Sequence, residues 1–453
     1  MELRNRIVIV MGAGKSGVAA AKLLAAVGAN PVIYDENENL DTAAVKEKVG
    51  TELPICAGKL DEEYESKAVL LVMSPGIPVD TEFVEGFKKR NIPVWGEIEL
   101  AYRYAGGRLI AITGTNGKTT TTALTGKIMQ DWYKASGKKG KVYVAGNIGD
   151  PYTDIALLTT PNDTTVLEVS SFQLETIDAF HPEISAILNI TPDHLNRHHT
   201  MEAYTACKED ITRNQSAEEI CVLNGEDERL VDFAKNGCGA KAVFFDSAKQ
   251  TENGFWLEGE DIMSSADGKL MNIHEMKLLG VHNVENVMAA IAMTQAAGVP
   301  MENILMSVKE FTAVEHRIEY TATVNDVDYY NDSKGTNPDA AIKAIQAMVK
   351  PTILIGGGYD KQNTYDEWIE SFDGKVKYLL LLGQTREAIE KCAHEHGFTQ
   401  TILVESMEEA VAKAHELAQP GWAVLLSPAC ASWGMFKNYE ERGRIFKDLV
   451  RKL

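Results

Sequence analysis

RLIAITGTNGKTTTTALTGKIM, residues 108–129, opens with an apolar, β-branched run, turns through Gly114 and Gly117, and continues as a helical pattern. A strand, a glycine turn and a helix in this order form a phosphate-binding loop, because backbone N–H groups can approach the phosphates and the helix N-terminus adds its positive dipole. In such a loop Lys118 reaches the β- and γ-phosphates, and the Thr119 hydroxyl is a ligand of Mg²⁺. The loop is a shortened GxxGKT, without the first glycine of the usual P-loop. We therefore expect ATP binding; the alternative is an ordinary glycine turn at the start of a helix.

Length and composition narrow the class of protein. A chain of 453 residues is long enough for about three domains. Its net charge of −20 argues against a nucleic-acid partner, because there is no surplus of basic residues to neutralise phosphates. The six cysteines form no CxxC pair, which favours free thiols in a reducing compartment. No apolar run is long enough for a membrane span or a secretory signal, so we expect a soluble cytoplasmic enzyme without a membrane partner.

The N-terminal hundred residues have the pattern of a nucleotide-binding domain. Residues 6–12 are typical of a buried strand, and the GAGKSG that follows matches GxGxxG, with Asp35 at the end of the next strand. Lys15 lies in the turn, where it either pairs with a phosphate or is solvated. A further strand ends at Ser74, a position where α/β sheets place ligand loops. The pattern is weak evidence for NAD, because the same turn can hold any nucleotide-sugar diphosphate. A linker is expected at 105–107.

Charged side chains accompany two strands and a helix of the middle region. Glu168 stands in the apolar run of DTTVLEVSSFQLE, and a buried acid needs a partner or a metal; the alternative is an exposed edge strand. Asp193 and His194 follow the strand ISAILNI, which makes His194 a candidate metal ligand. Lys208 lies in the amphipathic helix that follows. Composition alone predicts that Lys208 is a surface lysine.

The remaining chain carries two further groups of polar residues. Asn283 and Asn286 share a helix face; they either read an adenine edge or cap the helix, and the spacing favours capping. Arg317 precedes a strand that ends in the polar turn 332–336, which holds more chemically reactive residues than a turn requires. Pro338 fits the first turn of the next helix.

Strands alternate with helical stretches along most of the chain, which predicts parallel sheets with right-handed crossovers. The expected fold class is therefore α/β with three domains. We predict a Rossmann-like N-terminal domain over residues 1–105, a P-loop-type central ATPase domain over 106–311, and a Rossmann-like C-terminal domain over 312–453.

Nine motifs occur along the chain in this order: GTNGKTT, NIG, LEVSSFQL, NITPDHLNRH, HNVEN, EHR, NDSKGTNP, GGGYDK and SPACASWGMFKNYEERG. Together they resemble the motifs of the Mur ligases of peptidoglycan synthesis. The likeness covers essentially the whole chain and points to the members that add D-glutamate. Two positions depart from the family pattern: Gly434 stands where an acid is expected, and Tyr439 where Phe is common. The resemblance implies an enzyme that joins D-glutamate to UDP-N-acetylmuramoyl-L-alanine and splits ATP to ADP and phosphate.

The resemblance also implies roles for individual residues. The residues that it places around ATP are Gly114, Thr115, Asn116, Gly117, Lys118, Thr119, Thr120, Asn286, Arg317 and Asp332. Those around two Mg²⁺ sites are Thr119, Glu168, His194 and a carbamylated Lys208. Those around the UDP-sugar are Ser16, Asp35, Ser74 and Asn147. Those around the D-glutamate carboxylates are Lys334, Thr336, Lys361, Ser432 and Tyr439. The catalytic residues are Lys118, His194, Lys208 and Arg317.

The implied reaction is consistent with these residue types. A carboxylate accepts an amine poorly, whereas an acyl phosphate carries a good leaving group. Lys118, Mg²⁺ and Arg317 would supply positive charge at the γ-phosphate. A carbamate would turn the Lys208 ammonium into an anion that can lie beside Mg²⁺. We further expect a monomer whose C-terminal domain closes over the site to exclude water.

Three other readings remain open from the sequence. An NAD-dependent oxidoreductase would use GAGKSG and Asp35 but leaves the phosphate loop without a role, and it would show reduction of the cofactor. A binding module that uses ATP hydrolysis as a switch would hydrolyse ATP without any amino acid. A related ligase could add L-alanine, a diamino acid or a dipeptide, or act as a folylpolyglutamate synthase; the chain lacks the DNPR motif of the diamino-acid-adding relatives.

Overall fold

The computed structural model of the protein describes residues 2–147, 149–312 and 314–453. The chain divides into two compact units, Met1–Ile273 with Glu285–Val308 and His274–Val284 with Lys309–Leu453. The first unit contains two β-sheets and the second unit contains one. Ile148, the middle residue of the NIG motif, lies outside the described residues. Within the described ranges, no helix combines the length and the apolar character that a membrane crossing requires.

The first sheet is built from five short strands whose apolar side chains are largely buried. The strands are β1 (Ile7–Met11), β2 (Asn30–Asp35), β3 (Ile55–Ala57), β4 (Ala68–Met73) and β5 (Val94–Gly96). The helices are α1 (Lys15–Ala26), α2 (Thr42–Val49), α3 (Glu62–Lys67), α4 (Glu82–Lys89) and α5 (Glu97–Tyr102). All pairings are parallel, in the order β3-β2-β1-β4-β5. Continuous apolar runs such as IVIVM and AVLLVM suit this sheet, because helices cover both faces of a parallel sheet.

The second sheet has nine strands and carries the phosphate loop. The strands are β6 (Arg108–Thr113), β7 (Val142–Gly146), β8 (Thr164–Glu168), β9 (Ile184–Ile187), β10 (Ile220–Asn224), β11 (Lys241–Asp246), β12 (Gly254–Glu258), β13 (Asp261–Ser264) and β14 (Gly268–Asn272). The helices are α6 (Lys118–Ser136), α7 (Tyr152–Ile155), α8 (Ser171–Leu174), α9 (Leu195–His198), α10 (Met201–Glu209), α11 (Glu228–Asn236), α12 (Val281–Ala296) and α13 (Met301–Glu310). Three short 3₁₀ helices span Ala156–Leu158, Asp210–Thr212 and Ile273–Glu275. The order is β14-β13-β12-β11-β10-β9-β6-β8-β7, and only the β12–β13 and β13–β14 pairs are antiparallel among the described strands.

The third sheet, in the second unit, has six strands. They are β15 (Glu319–Val324), β16 (Val327–Asn331), β17 (Thr352–Gly356), β18 (Val376–Leu381), β19 (Thr401–Leu403) and β20 (Ala423–Leu426). The helices are α14 (Pro338–Ala347), α15 (Asp366–Glu370), α16 (Arg386–Glu395), α17 (Met407–Leu417) and α18 (Tyr439–Val450). The order is β15-β16-β20-β17-β18-β19, with β15 antiparallel and the other strands parallel. Pro338 occupies the first turn of α14, as predicted.

This architecture confirms the α/β class and the parallel sheets expected from the sequence. In each sheet, neighbouring parallel strands bring their carboxyl ends to one edge, and ligands of open α/β sheets bind there. The candidate site residues that follow β1, β2 and β4 therefore share one edge of the first sheet. The candidate site residues that follow β6, β7, β8 and β9 likewise share one edge of the second sheet. Those that follow β16, β17 and β20 share one edge of the third sheet.

Candidate active site

The phosphate loop is the tight turn 114–117 between β6 and α6. Gly114 has a φ of 150° and Gly117 a φ of 83°, both in the region that disfavours other residues. A Cβ atom added to Gly117 would lie 2.2 Å from Oδ1 of Asn286. Gly117 therefore allows the start of α6 to approach α12. The loop leads straight into a 19-residue helix, as expected of a phosphate-binding loop.

Asn189, which follows β9, holds the loop in place. Its Oδ1 accepts from the Asn116 N–H at 2.8 Å, and its Nδ2 donates to the Asn116 carbonyl at 3.2 Å. The Asn189 carbonyl also accepts from the Thr115 N–H at 2.9 Å. These three bonds hold the loop in one conformation. The sequence interpretation did not assign Asn189, although the residue is the first of the NITPDHLNRH motif.

Asn286 supports the loop from the other side. It is buried in α12, where its Oδ1 accepts from the Thr121 hydroxyl at 3.2 Å. Because α12 begins five residues earlier, Asn286 is not at the helix N-terminus. The capping role favoured by its spacing is therefore wrong for this residue.

Two lysines meet at the loop. Nζ of Lys118 donates to the carbonyls of Gly114 at 2.8 Å and Thr115 at 2.9 Å, and Nζ of Lys208 donates to the same Gly114 carbonyl at 2.9 Å. Lys208 is only 1% exposed, so the surface position expected from composition is wrong. Burial lowers the pKa of Lys208 well below its usual value, and the nearby charge of Lys118 lowers this pKa further.

Glu168 ends β8, an interior strand between β6 and β7, and is 1% exposed. Its burial excludes the edge-strand alternative. One carboxylate oxygen accepts from Nδ2 of Asn147 at 3.0 Å, whereas Oε2 is buried and has no hydrogen-bond partner in the part of the chain that the structure describes. A buried carboxylate oxygen without a donor fits a cation ligand, because leaving it unpaired would be costly.

His194 lies at the start of α9 in the left-handed region, with a φ of 54°. Its Nε2 is 3.6 Å from Asp193, and its ring centroid is 4.8 Å from that of Phe172, which lies in α8 just after the strand of Glu168. His198, one turn later, was not singled out from the sequence. It is buried, with Nε2 2.9 Å from the Ser171 hydroxyl. A run of histidines in the sequence could not show which of them faces the interior.

The donor set fits Mg²⁺. The Thr119 hydroxyl at the start of α6 and the orphaned Glu168 oxygen are the hard oxygen ligands that Mg²⁺ prefers. Both belong to elements that meet at one edge of the second sheet, since Glu168 is in register with Ile112 just before the loop. A cationic Lys208 does not fit beside a metal ion, whereas an anionic derivative of it does.

The first sheet contributes residues at its own carboxyl edge. Oδ2 of Asp35 accepts from the Ala13 N–H at 2.9 Å and so fastens the GxGxxG turn. Nζ of Lys15 donates to the Gly149 carbonyl at 2.7 Å, which ties the first residue of α1 to the loop after β7. The Ser74 hydroxyl is buried and has no hydrogen-bond partner among the described residues.

Glu97, at the start of α5, is a buried acid that the sequence interpretation missed. Its Oε1 accepts from Nε2 of Gln173 at 2.7 Å, and its Oε2 has no hydrogen-bond partner among the described residues. Burial raises the pKa of Glu97 from 4.5 to about 7. Together with Ser74, it lines a narrow cleft between the first sheet and α8. The lining residues are Met73, Ser74, Pro75, Ile77, Val79, Gly96, Glu97, Phe172, Gln173 and Thr176.

Replacing Glu97 by Gln should flatten the pH dependence of stability. Since the pKa is about 7 in the fold and 4.5 in the unfolded chain, only the folded protein holds this proton between those values. Protonated Glu97 therefore contributes on the order of 3 kcal/mol to the free energy of unfolding. This contribution is complete below the pKa of the unfolded chain and is lost as the pH rises through the pKa of the folded protein. Denaturant unfolding across this range should show the variant gaining stability relative to wild type as the pH rises. Glu52→Gln, at a side chain that is 93% exposed, is the matched control; a Glu97→Gln curve parallel to wild type would contradict the prediction.

In the second unit, Asp332 lies just after β16 and Arg317 just before β15. Oδ2 of Asp332 accepts from the Ser427 hydroxyl at 2.7 Å, and Oδ1 accepts from the Ile318 N–H at 3.2 Å. Burial raises the pKa of Asp332 to about 7, although Arg317 acts to lower it. Nε of Arg317 is buried without a hydrogen-bond partner among the described residues. Because β15 and β16 are antiparallel, these two residues lie at the same edge of the sheet.

The five residues predicted to hold D-glutamate follow three neighbouring parallel strands. Lys334 and Thr336 follow β16, Lys361 follows β17, and the other two follow β20; these are Ser432 and Tyr439. Nζ of Lys334 lies 5.4 Å from the centroid of the Tyr439 ring. The structure thus brings these residues to one edge of the third sheet.

Arg442 of α18 fastens this edge and was not predicted from the sequence. It is 1% exposed. Its Nε donates to the Ser333 hydroxyl at 2.9 Å, a second nitrogen to the Ser333 carbonyl at 2.7 Å, and a third to the Cys430 carbonyl at 3.1 Å. One guanidinium therefore connects α18, the turn after β16 and the loop after β20.

Comparisons with known proteins cover all three sheets. The family models that match are the N-terminal domain of MurD-like Mur ligases over residues 6–96, the Mur ligase middle domain over 112–294, and the glutamate ligase domain of Mur ligases over 316–430. The solved MurF ligase from Thermotoga maritima, in complex with ADP, has a TM-score of 0.59 at 16% identity and covers 100% of this chain and 96% of its own. That likeness shows the three-domain fold.

Curated relatives extend over the whole chain. A UDP-N-acetylmuramoylalanine--D-glutamate ligase of Lachnospira eligens is 55% identical, with 100% of both chains covered. A ligase of the same name from Lachnoclostridium phytofermentans is 49% identical over 100% of this chain and 99% of its own. Identity at this level over the full length fixes the family: the chain belongs to the Mur ligase family.

Proposed function

We propose that the protein joins D-glutamate to UDP-N-acetylmuramoyl-L-alanine while splitting ATP to ADP and phosphate. The observation that carries this proposal is the full-length identity of 55% and 49% with two ligases named for that reaction. The site chemistry supports it, because a phosphate loop, an orphaned buried acid and a cluster of cationic and hydroxyl side chains all lie at sheet edges. The NAD-dependent alternative leaves the phosphate loop and the third sheet without a role.

The first step activates a carboxylate. The L-alanyl carboxylate attacks the γ-phosphate of ATP, which gives an acyl phosphate and ADP. Lys118 is positioned at the loop to neutralise charge that builds on the transferred phosphoryl group, and Arg317 is the second cation that we assign to it. Mg²⁺ bound by Thr119 would supply further charge neutralisation at the phosphates. We assign Gly114 to Thr120, Asn286 and Asp332 to ATP as well.

We assign Glu168, His194 and Lys208 to a second Mg²⁺ environment in which Lys208 is carbamylated. The neutral amine of a lysine adds CO₂ to form a carbamate and releases one proton. Burial favours this reaction, because it lowers the pKa of Lys208 and so raises the fraction of neutral amine. The remaining N–H of the carbamate can still donate to the Gly114 carbonyl, which now accepts from Nζ.

The second step forms the amide bond. The neutral amine of D-glutamate attacks the acyl phosphate, and phosphate leaves from the tetrahedral intermediate. D-glutamate carries two carboxylates, and we assign them to the residues gathered after β16, β17 and β20, namely Lys334, Thr336, Lys361, Ser432 and Tyr439.

The remaining assignments come from the family resemblance. We assign Ser16, Asp35, Ser74 and Asn147 to the UDP-sugar; the Ser74 hydroxyl and the Asn147 side chain support this, since both lie at carboxyl edges of the first unit. We also propose domain boundaries at residues 1–105, 106–311 and 312–453, a cytoplasmic location and a monomeric enzyme.

The test is an amino-acid panel with UDP-N-acetylmuramoyl-L-alanine and ATP, read as phosphate release and product mass. D-glutamate should drive phosphate release and add one glutamyl residue to the product. L-glutamate, L-alanine and a diamino acid should not. Omitting the amino acid is the control, since hydrolysis without it would indicate an ATP switch. Equal turnover with L-alanine would overturn the assignment.

A further inference from the structure

We infer that α15 and α16 together form a binding site for a divalent transition metal of the Zn²⁺ class. The ligands are Asp366, Cys392 and His396, with Glu370 as the fourth. This site lies in the second unit and is separate from the Mg²⁺ ligands assigned above, all of which belong to the first unit.

The two helices present two pairs of ligands at matched spacing. Asp366 and Glu370 are one turn apart at the two ends of α15, and Cys392 and His396 are one turn apart at the end of α16. Residues four apart on a helix share a face, so each helix offers a pair in the same direction. One ligand atom from each of Asp366, Cys392 and His396 lies within 4.8 Å of the other two.

The distances around the imidazole suit a shared metal ion. Nε2 of His396 lies 3.6 Å from Oδ1 of Asp366 and 3.5 Å from Oε1 of Glu370. These distances are too long for ordinary N–H···O hydrogen bonds. They exceed by at most about 0.3 Å the roughly 3.3–3.4 Å between nitrogen and oxygen ligands of a tetrahedral ion with bonds of about 2.0–2.1 Å, so a bound ion would draw these ligands slightly together.

A contact at Nδ1 of His396 favours the tautomer that a metal needs. This nitrogen lies 3.0 Å from the carbonyl oxygen of Cys392, and this contact suits an Nδ1–H donor. The lone pair of Nε2 is then left facing the two carboxylates. Metal-bound histidines are fixed in this way by a hydrogen bond from the other ring nitrogen. An imidazolium paired with both acids is the alternative; the Cys392 thiol, with Sγ 4.0 Å from Nδ1, adds a soft ligand beside the same ring that such an ion pair does not require.

The donor types select the class of metal. One thiolate, one imidazole and two carboxylates favour Zn²⁺ or Co²⁺ over Mg²⁺ and Ca²⁺, which prefer oxygen ligands alone. The bound ion would tie α15, a helix of only five residues, to the longer α16. Because α15 follows the loop that carries Lys361, the tie would also anchor the end of that loop.

Cobalt is the probe for this site, because a tetrahedral Co²⁺ ion with a thiolate ligand gives a sulfur-to-metal charge-transfer band and intense visible bands. The full chain, treated with chelator and kept reduced, is titrated with Co²⁺ and then with Zn²⁺. We expect one equivalent of Co²⁺ to produce the thiolate band and Zn²⁺ to abolish it. The oxygen ligands assigned to Mg²⁺ cannot give this band.

Single substitutions test which residues bind the Co²⁺ ion. Cys392→Ala should lose the charge-transfer band, and His396→Gln and Asp366→Asn should weaken or lose the visible bands. The matched controls are Cys56→Ala, His394→Gln on the same helix α16, and Glu367→Gln on the same helix α15, all of which should behave as wild type. Circular dichroism confirms that each variant is folded. The proposal is overturned if wild type shows no thiolate band with Co²⁺, or if the band persists in Cys392→Ala.

Discussion

Lys118→Ala should lower the rate of phosphate release by roughly a hundredfold or more, which corresponds to about 3 kcal/mol of lost transition-state stabilisation. The loop holds the ammonium group of Lys118 against the carbonyls of Gly114 and Thr115, at the N-terminal end of α6. Charge on the transferred phosphoryl group develops where this ammonium lies in our assignment. The truncation therefore removes an interaction that strengthens in the transition state. Steady-state kinetics with saturating ATP and D-glutamate measure the loss as a fall in kcat.

The control for this variant lies on the same helix. Lys127 pairs with Asp131 one turn later, with Nζ 2.7 Å from the carboxylate, and Lys127→Ala should leave kcat near that of wild type. Calorimetric binding of UDP-N-acetylmuramoyl-L-alanine should survive in Lys118→Ala, since that ligand is assigned to the first sheet and its neighbouring loops. Near-normal turnover in Lys118→Ala would mean that the loop does not carry the γ-phosphate.

Local sequence patterns were enough to predict the elements of this protein. The strand, glycine turn and helix of residues 108–129, the alternation of strands and helices and the helix start at Pro338 each depend on a few adjacent residues, and the structure confirms them. Strand pairing in parallel sheets then follows from the alternation of elements and from handedness.

Contacts between distant residues could not be predicted in this way. Asn189 binds a loop residue that is 73 positions earlier in the chain, and Arg442 binds Ser333, 109 positions earlier. Their function depends on which strands become neighbours, and no local pattern contains that information. The burial of Glu97 was also unpredictable from the local sequence, because only tertiary packing places its carboxylate against Gln173 rather than in water.

Lys208 is the clearest example of a position that the local sequence does not predict. Its helix, α10, has a charged and partly polar sequence that is typical of a surface position. Burial arises because α10 packs where Nζ reaches the Gly114 carbonyl, 94 residues earlier, and lies 4.6 Å from the centroid of the Tyr204 ring. The family resemblance predicted a functional role for Lys208 that composition alone did not.

Lys208→Ala should be nearly inactive, and added acetate or formate should restore part of its rate. An unmodified ammonium would repel Mg²⁺, whereas a carbamate supplies the anion that the metal environment needs. Truncation to alanine removes the side chain that lies between the Tyr204 ring and the loop carbonyl, and we expect a small carboxylate to occupy that space. The rate of the variant should therefore rise with acetate or formate concentration and saturate, while wild type should not respond. Phosphate release in the presence of D-glutamate measures both effects.

Lys118→Ala is the matched control for the rescue. The Lys118 side chain also contacts the Gly114 carbonyl, but its truncation removes a positive charge, whereas truncation of a carbamylated Lys208 removes a negative one. Neither acid should restore the activity of Lys118→Ala. In wild type, removal of CO₂ and bicarbonate should lower the activity, and raising the pH should favour carbamylation, since only the neutral amine of Lys208 reacts. Full activity of Lys208→Ala without added acid would remove the residue from the metal environment. An inactive but folded variant that neither acid restores would contradict the carbamate, because the missing group would then be something other than a negative charge at this position.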